Sequence, residues 1–182
     1  MRIFISGGCK NGKSFHAQNL AKKAAKENKL LYYIATMRPA DNEDDERITN
    51  HRKERVGWGF NTVEQPLDIE QIIESCDNNG SFLLDSLTAL LANEMFQRDI
   101  NLDCADKISA GLDKVLRRIK NIVIVSDYIY SDAQIFDPLT EEYRKSLAAL
   151  DRFTANRCDI VLEVCYTNII FHKGEGLYNE VF

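Results

Sequence analysis

A short apolar run, Arg2-Ile3-Phe4-Ile5-Ser6, leads straight into Gly7-Gly8-Cys9-Lys10-Asn11-Gly12-Lys13-Ser14, and a helix-forming stretch follows. No other feature of the chain constrains the fold as much. The strand has to end where the glycines let the backbone curl, and the helix has to start with its free N–H groups and positive dipole end aimed at the same point. Successive backbone N–H groups then face phosphate oxygens, Lys13 brings an ammonium to the outer phosphates, and Ser14 offers a hydroxyl to Mg²⁺. Gly7, Gly8, Cys9, Lys10, Asn11, Gly12, Lys13 and Ser14 are therefore expected to form a phosphate-binding P-loop, and the chain to bind a nucleotide. Two readings of Cys9 stand side by side: a thiol at a helix N-terminus is open to ionisation and oxidation, and any small side chain serves in such a loop.

Apolar, β-rich runs recur at Ile3–Ser6, Leu30–Thr36, Ser81–Asp85, Asn121–Asp127, Asp159–Tyr166 and Asn168–His172. Helix-forming stretches separate most of them, at about Lys13–Glu27, Asn42–Arg55, Leu67–Ser75, Leu87–Arg98, Asp103–Lys120 and Leu139–Asn156. Pro66 and Pro138 precede two of these, where proline is tolerated. Strand and helix in alternation predict an α/β, P-loop NTPase-like fold, a mostly parallel sheet with helices on both faces. The last two runs are too close for a helical crossover, so they should form an edge hairpin turning near Thr167.

Length and composition then bound the rest. With 182 residues, 45% of them hydrophobic, the chain can bury one good core, so residues 1–182 are expected to form a single domain. A formal charge of −5 gives no basic field for a nucleic-acid backbone. No apolar stretch reaches bilayer-spanning length, and the chain enters a strand at once without a cationic leader, so a cytoplasmic location is expected. The five cysteines form no Cys-x-x-Cys pair and are odd in number, which fits reduced thiols and no structural zinc.

Two further constellations bear on chemistry. Phe82-Leu83-Leu84-Asp85 is an apolar run ending in a carboxylate, the pattern of a magnesium-site acid; an Asp capping the helix that starts at Ser86 or Leu87 reads the same way. If Asn42–Arg55 is helical, Arg47, His51 and Arg55 share one face. Flanking guanidiniums disfavour the imidazolium and leave a neutral ring nitrogen able to attack phosphorus, while a solvated polar helix is the alternative. His16, one turn into the P-loop helix, is expected to pack or hydrogen-bond, and His172 to be structural or exposed.

Three blocks resemble the bifunctional adenosylcobinamide kinase / adenosylcobinamide-phosphate guanylyltransferase family of cobalamin biosynthesis. The P-loop followed by Phe15-His16-Ala17 is similar to the family's GGARSGKS, one residue, then His-Ala. Tyr33-Ile34-Ala35-Thr36, Arg47-Ile48-Thr49-Asn50-His51-Arg52-Lys53-Glu54-Arg55, Trp58, Thr62 and Glu64 match a second block in order. Leu83-Leu84-Asp85-Ser86-Leu87-Thr88 with Asn93 resembles a third.

The resemblance implies that an NTP phosphorylates adenosylcobinamide, and that His51 takes GMP from GTP and passes it to adenosylcobinamide phosphate. It implies nucleotide contacts on the P-loop, on Ile34, Ala35 and Thr36, on Arg52, Lys53, Glu54 and Arg55, and on Glu64 and Asp85. Glu64 would meet a guanine edge or steer the metal; otherwise it is a surface residue before Pro66. Catalytic roles fall to His51 and Lys13, metal contacts to Ser14 and Asp85, with Mg²⁺ as cofactor, GTP and ATP as substrates, and a homotrimer as assembly. The chain departs from the pattern after Val125-Ser126. The family continues Asn-Glu-Val-Gly, whereas this chain reads Asp127-Tyr128-Ile129-Tyr130, and Asp151-Arg152 replaces a later Asn-Gln motif. These departures leave room for two other readings, a P-loop kinase of another hydroxylated metabolite and a non-catalytic nucleotide sensor.

Overall fold

The computed structural model describes residues 1–25, 30–38, 56–130 and 133–182. The helix expected at Asn42–Arg55 lies outside these residues. The described chain forms one seven-stranded sheet in the order β3-β2-β4-β5-β1-β6-β7. Its strands are β1 (Arg2–Gly7), β2 (Leu31–Ala35), β3 (Phe60–Glu64), β4 (Ser81–Asp85), β5 (Ile122–Asp127), β6 (Ile160–Cys165) and β7 (Asn168–Lys173). All neighbouring pairs are parallel except β6 with β7. Cys165 pairs with Asn168, so Tyr166 and Thr167 alone make the turn, both at positive φ (48° and 68°), as the twist of a two-residue hairpin requires.

Side chains alternate across the sheet, and each face is covered. Ile3, Ile5, Tyr33, Leu83, Val123 and Val125 pack against Ala17, Leu20 and Ala21 of α1 (Lys13–Ala24). On the other face Phe4, Ile34, Phe82, Leu84 and Ile124 meet α3 (Leu87–Met95), α4 (Cys104–Arg118) and α5 (Pro138–Arg157). Pro138 stands at the first position of α5 behind an Asp137 cap that accepts from Leu139 and Thr140, as its fixed φ and missing N–H allow.

Some expected boundaries move. Leu67–Ser75 does not form one helix: Asp68 is left-handed (φ 47°), Ile69–Gln71 is a 3₁₀ turn, and only α2 (Ile72–Ser75) is α-helical. Strand β3 was not expected, because its residues are mostly exposed on an edge and carry little apolar signal. The terminal helix α6 (Glu175–Val181) buries no residue and was equally silent in the sequence.

Candidate active site

Every functional candidate in the described residues, the edge hairpin apart, sits at the carboxyl edge of the parallel strands, where open α/β sheets bind ligands. The register lines them up. Glu64 of β3 pairs with Ala35 of β2, Ala35 pairs with Asp85 of β4, and Asp127 of β5 pairs with Gly7 of β1.

The glycines of the loop answer specific demands. A Cβ on Gly7 would lie 2.6 Å from the Val164 carbonyl, so the strand end tolerates no side chain there. Gly12 holds φ 88° at the N-terminus of α1. Asn11 ties the loop down, accepting from the Lys13 backbone N–H at 3.2 Å while its amide donates to the Val164 carbonyl. Lys13, almost wholly buried, donates from Nζ to the Gly8 carbonyl at 2.9 Å and pairs with Asp127.

Asp127 is the residue that motif reading left out of the site. It ends an apolar run as Asp85 does, yet nothing in the sequence says that β5 lies between β4 and the P-loop strand. Its backbone N–H donates to Thr88 Oγ1 (2.9 Å), which fixes the strand end against α3.

Asp85 accepts from the Tyr33 hydroxyl at 2.8 Å. It is not the helix cap: Ser86 caps α3, its hydroxyl accepting from the Ala89 N–H. The capping alternative for Asp85 is therefore corrected, because the chain turns one residue later than that reading supposes. Thr36 is a structural staple. Its hydroxyl donates to the Ser86 carbonyl (2.8 Å) and accepts from the Ser86 N–H (2.7 Å), holding the ends of β2 and β4 together. Ile34 is fully buried in the core, which leaves only its backbone for any ligand. Asn93 donates to the carbonyls of Thr36 and Pro66, closing the same corner.

A hydroxyl and two carboxylates, on Ser14, Asp85 and Asp127, are oxygen donors of the kind Mg²⁺ takes. Among the described residues no three His, Cys, Asp or Glu side chains form a metal-holding cluster.

His51, Arg47, Arg52, Lys53, Glu54 and Arg55 lie outside the described residues. The chain returns with Trp58 packed edge-on against Phe15 (ring centroids 5.7 Å), and Lys22 lies over the indole ring at 5.3 Å. Trp58 thus rests on both the first and the last turn of the P-loop helix.

His16 is half-buried with Nε2 sealed from solvent and without a partner among the described residues, and burial lowers its pKa. His172 is exposed and meets Glu163 at 2.9 Å. Arg144 is buried and structural, donating to the Ile129 carbonyl at 3.0 Å and pairing with Glu141 at 2.7 Å. Asp151 is buried behind β5 and accepts from Tyr130 at 2.8 Å; burial pushes its carboxyl up to about 6, with Ser126 and Tyr130 opposing the rise.

A cleft of about 460 Å³ opens beside Asp127, bounded by Arg38, Thr88, Asn93, Phe96 and Tyr143. A second, of about 730 Å³, lies on the other side of the P-loop, against the β6–β7 turn.

The fold and the loop define a P-loop protein of the open α/β class. Solved structures agree on the fold. The flagellar accessory protein FlaH of Methanocaldococcus jannaschii superimposes with a TM-score of 0.52 at 14% identity, covering 94% of this chain and 77% of its own. A KaiC-like protein of Pyrococcus horikoshii OT3 gives 0.51 at 13% identity, covering 94% and 78%. Sequence goes further: the model of the cobinamide kinase / cobinamide phosphate guanyltransferase family matches residues 3–167, and the chain belongs to that family. The bifunctional adenosylcobalamin biosynthesis protein CobU of Escherichia coli (strain K12) is 33% identical over 97 residues, 53% of this chain. The match spans about half of that relative's length (51%).

Proposed function

We propose that the chain is a cytoplasmic, single-domain enzyme of corrinoid nucleotide-loop assembly, with two reactions at one phosphate loop. In the first, the aminopropanol hydroxyl oxygen of adenosylcobinamide attacks the γ-phosphorus of an NTP, and the nucleoside diphosphate leaves. In the second, a neutral ring nitrogen of His51 attacks the α-phosphorus of GTP and pyrophosphate leaves. A phosphate oxygen of adenosylcobinamide phosphate then displaces the imidazole and takes the GMP.

The observation that carries this reading is the sunken Lys13 at the mouth of the P-loop, with Asp127 and Asp85 ending the next two strands. A cation and two acids at one sheet edge are the parts that phosphoryl transfer uses for positioning and charge neutralisation. Mg²⁺, held through Ser14, Asp85 and Asp127, would neutralise charge on the phosphates. Lys13 orients the outer phosphates, and the cleft beside Asp127 seats the acceptor. Arg52 to Arg55 and Glu64 supply the remaining nucleotide contacts, and the assembly is a homo-oligomer.

The test is a pair of separate assays, ATP with adenosylcobinamide and GTP with its phosphate, each with Mg²⁺. Both products should form, and Lys13→Ala should lower both turnovers roughly thirtyfold, the loss of one charge-assisted phosphate contact. Product in neither assay, from protein that binds nucleotide, contradicts the reading.

A further inference from the structure

The larger cleft has a composition that the phosphate chemistry does not explain. One wall is the P-loop itself, Cys9, Lys10 and Gly12; the other is Tyr128, Cys165 and Tyr166. Among the described residues no carboxylate lines it, and its cation Lys10 belongs to the loop. Tyr166 stands at the tip of the β6–β7 turn with 88% of its surface exposed. It holds φ 48° in a two-residue turn, a place where Asn, Asp or Gly is favoured and a bulky aromatic residue is an outlier. Tyr128 is fixed rather than free: its hydroxyl donates to Glu163 at 3.0 Å, and Glu163 is held in turn by His172 at 2.9 Å.

Position decides which part of a ligand belongs there. The P-loop strand β1 has β5 with Asp127 on one flank and β6 on the other. A triphosphate on the loop whose reacting, metal-binding end faces Asp127 and Asp85 would extend its uncharged end toward β6 and the tyrosines. Glu64, on β3, lies five strand spacings from β6, on the order of 24 Å. One nucleoside cannot occupy both flanks.

We propose that this cleft takes the nucleoside half of the phosphoryl-donating purine triphosphate, its base stacked on Tyr166 and its side wall formed by Tyr128. The proposal rests on the reading that Gly7 to Ser14 hold the phosphates. Stacking on an aromatic face tolerates any purine, because every base offers a π-face.

Calorimetric titration with magnesium ATP and with inorganic tripolyphosphate, on the parent, Tyr166→Ala and Tyr166→Phe, separates the two claims. Tyr166→Ala should weaken ATP binding about tenfold, the size of one base–aromatic stack, and leave tripolyphosphate binding as in the parent. Tyr166→Phe keeps the ring and should bind ATP like the parent. ATP affinity in Tyr166→Ala within about twofold of the parent overturns the proposal, and so does a parallel loss of both ligands, which would place Tyr166 in loop support. A parent that binds neither ligand removes the phosphate-loop reading itself.

Discussion

Lys13 enters a nearly closed position at the root of the P-loop, and its charge is answered there by Asp127. Where the family pattern has Asn, this chain places a second anion beside the proposed phosphate site, so nucleotide should bind well only when a cation offsets that carboxylate. Asp127→Asn keeps the shape and removes the charge. It should raise ATP affinity in EDTA roughly fivefold or more, narrowing the gap between magnesium-bound and magnesium-free binding, since a charge-assisted contact is worth about 1.5–3 kcal/mol before solvent screening. An unchanged gap, by calorimetry, argues against this role. Asp151 makes the complementary case of a buried acid. Its carboxyl is raised to about 6 chiefly by burial, so the folded protein binds a proton there that the unfolded chain releases from about pH 4 upward. Stability from this residue is full below pH 4 and declines as pH rises through 6. Asp151→Asn should therefore match the parent near pH 4 and exceed it at pH 7.5 by up to about 3 kcal/mol, read from chemical denaturation. A parent that is the more stable at pH 7.5 contradicts the sign. Neither role was legible in sequence, because both depend on which strand lies beside β1 and on what covers β5.

Among the elements, the corner where β2 and β4 end carries the most information. Thr36, Ser86 and Asn93 lock it, and Asp85 projects from the locked strand. The cap and the acid are adjacent residues with separable effects. Ser86→Ala should cost about 1 kcal/mol of stability, as lost helix caps do, with the magnesium dependence of turnover unchanged. Asp85→Asn should raise the magnesium concentration needed for half-maximal turnover and shift the melting temperature less than Ser86→Ala does. The reverse pattern, measured on both variants, would return Asp85 to a purely structural role. Strands β1, β4 and β5 were readable because they are buried on both faces and show as unbroken apolar runs. Strand β3 escaped because its edge position leaves Asn61, Thr62 and Glu64 exposed. The break at Asp68 escaped because nothing in Leu67-Asp68-Ile69 announces a left-handed residue.

On the scale of the whole molecule, the order of the strands bears on the proposal that one phosphate loop serves two reactions. The P-loop strand lies inside the sheet, with acids on one flank and a tyrosine-lined cleft on the other. The connection between β2 and β3 carries His51 and returns to the P-loop helix through Trp58 and Phe15. Guanylyl transfer through that histidine is the claim on which the two-reaction account depends. The most direct measurement is incubation with Mg²⁺ and GTP labelled at the α-phosphate, followed by denaturation and peptide mapping. The account predicts label on the peptide that contains His51, lost in acid and stable in alkali as a phosphorus–nitrogen bond is, no label from γ-labelled GTP, and none in His51→Ala. Undiminished labelling of His51→Ala, or no α-label on a parent shown to bind GTP, would contradict it.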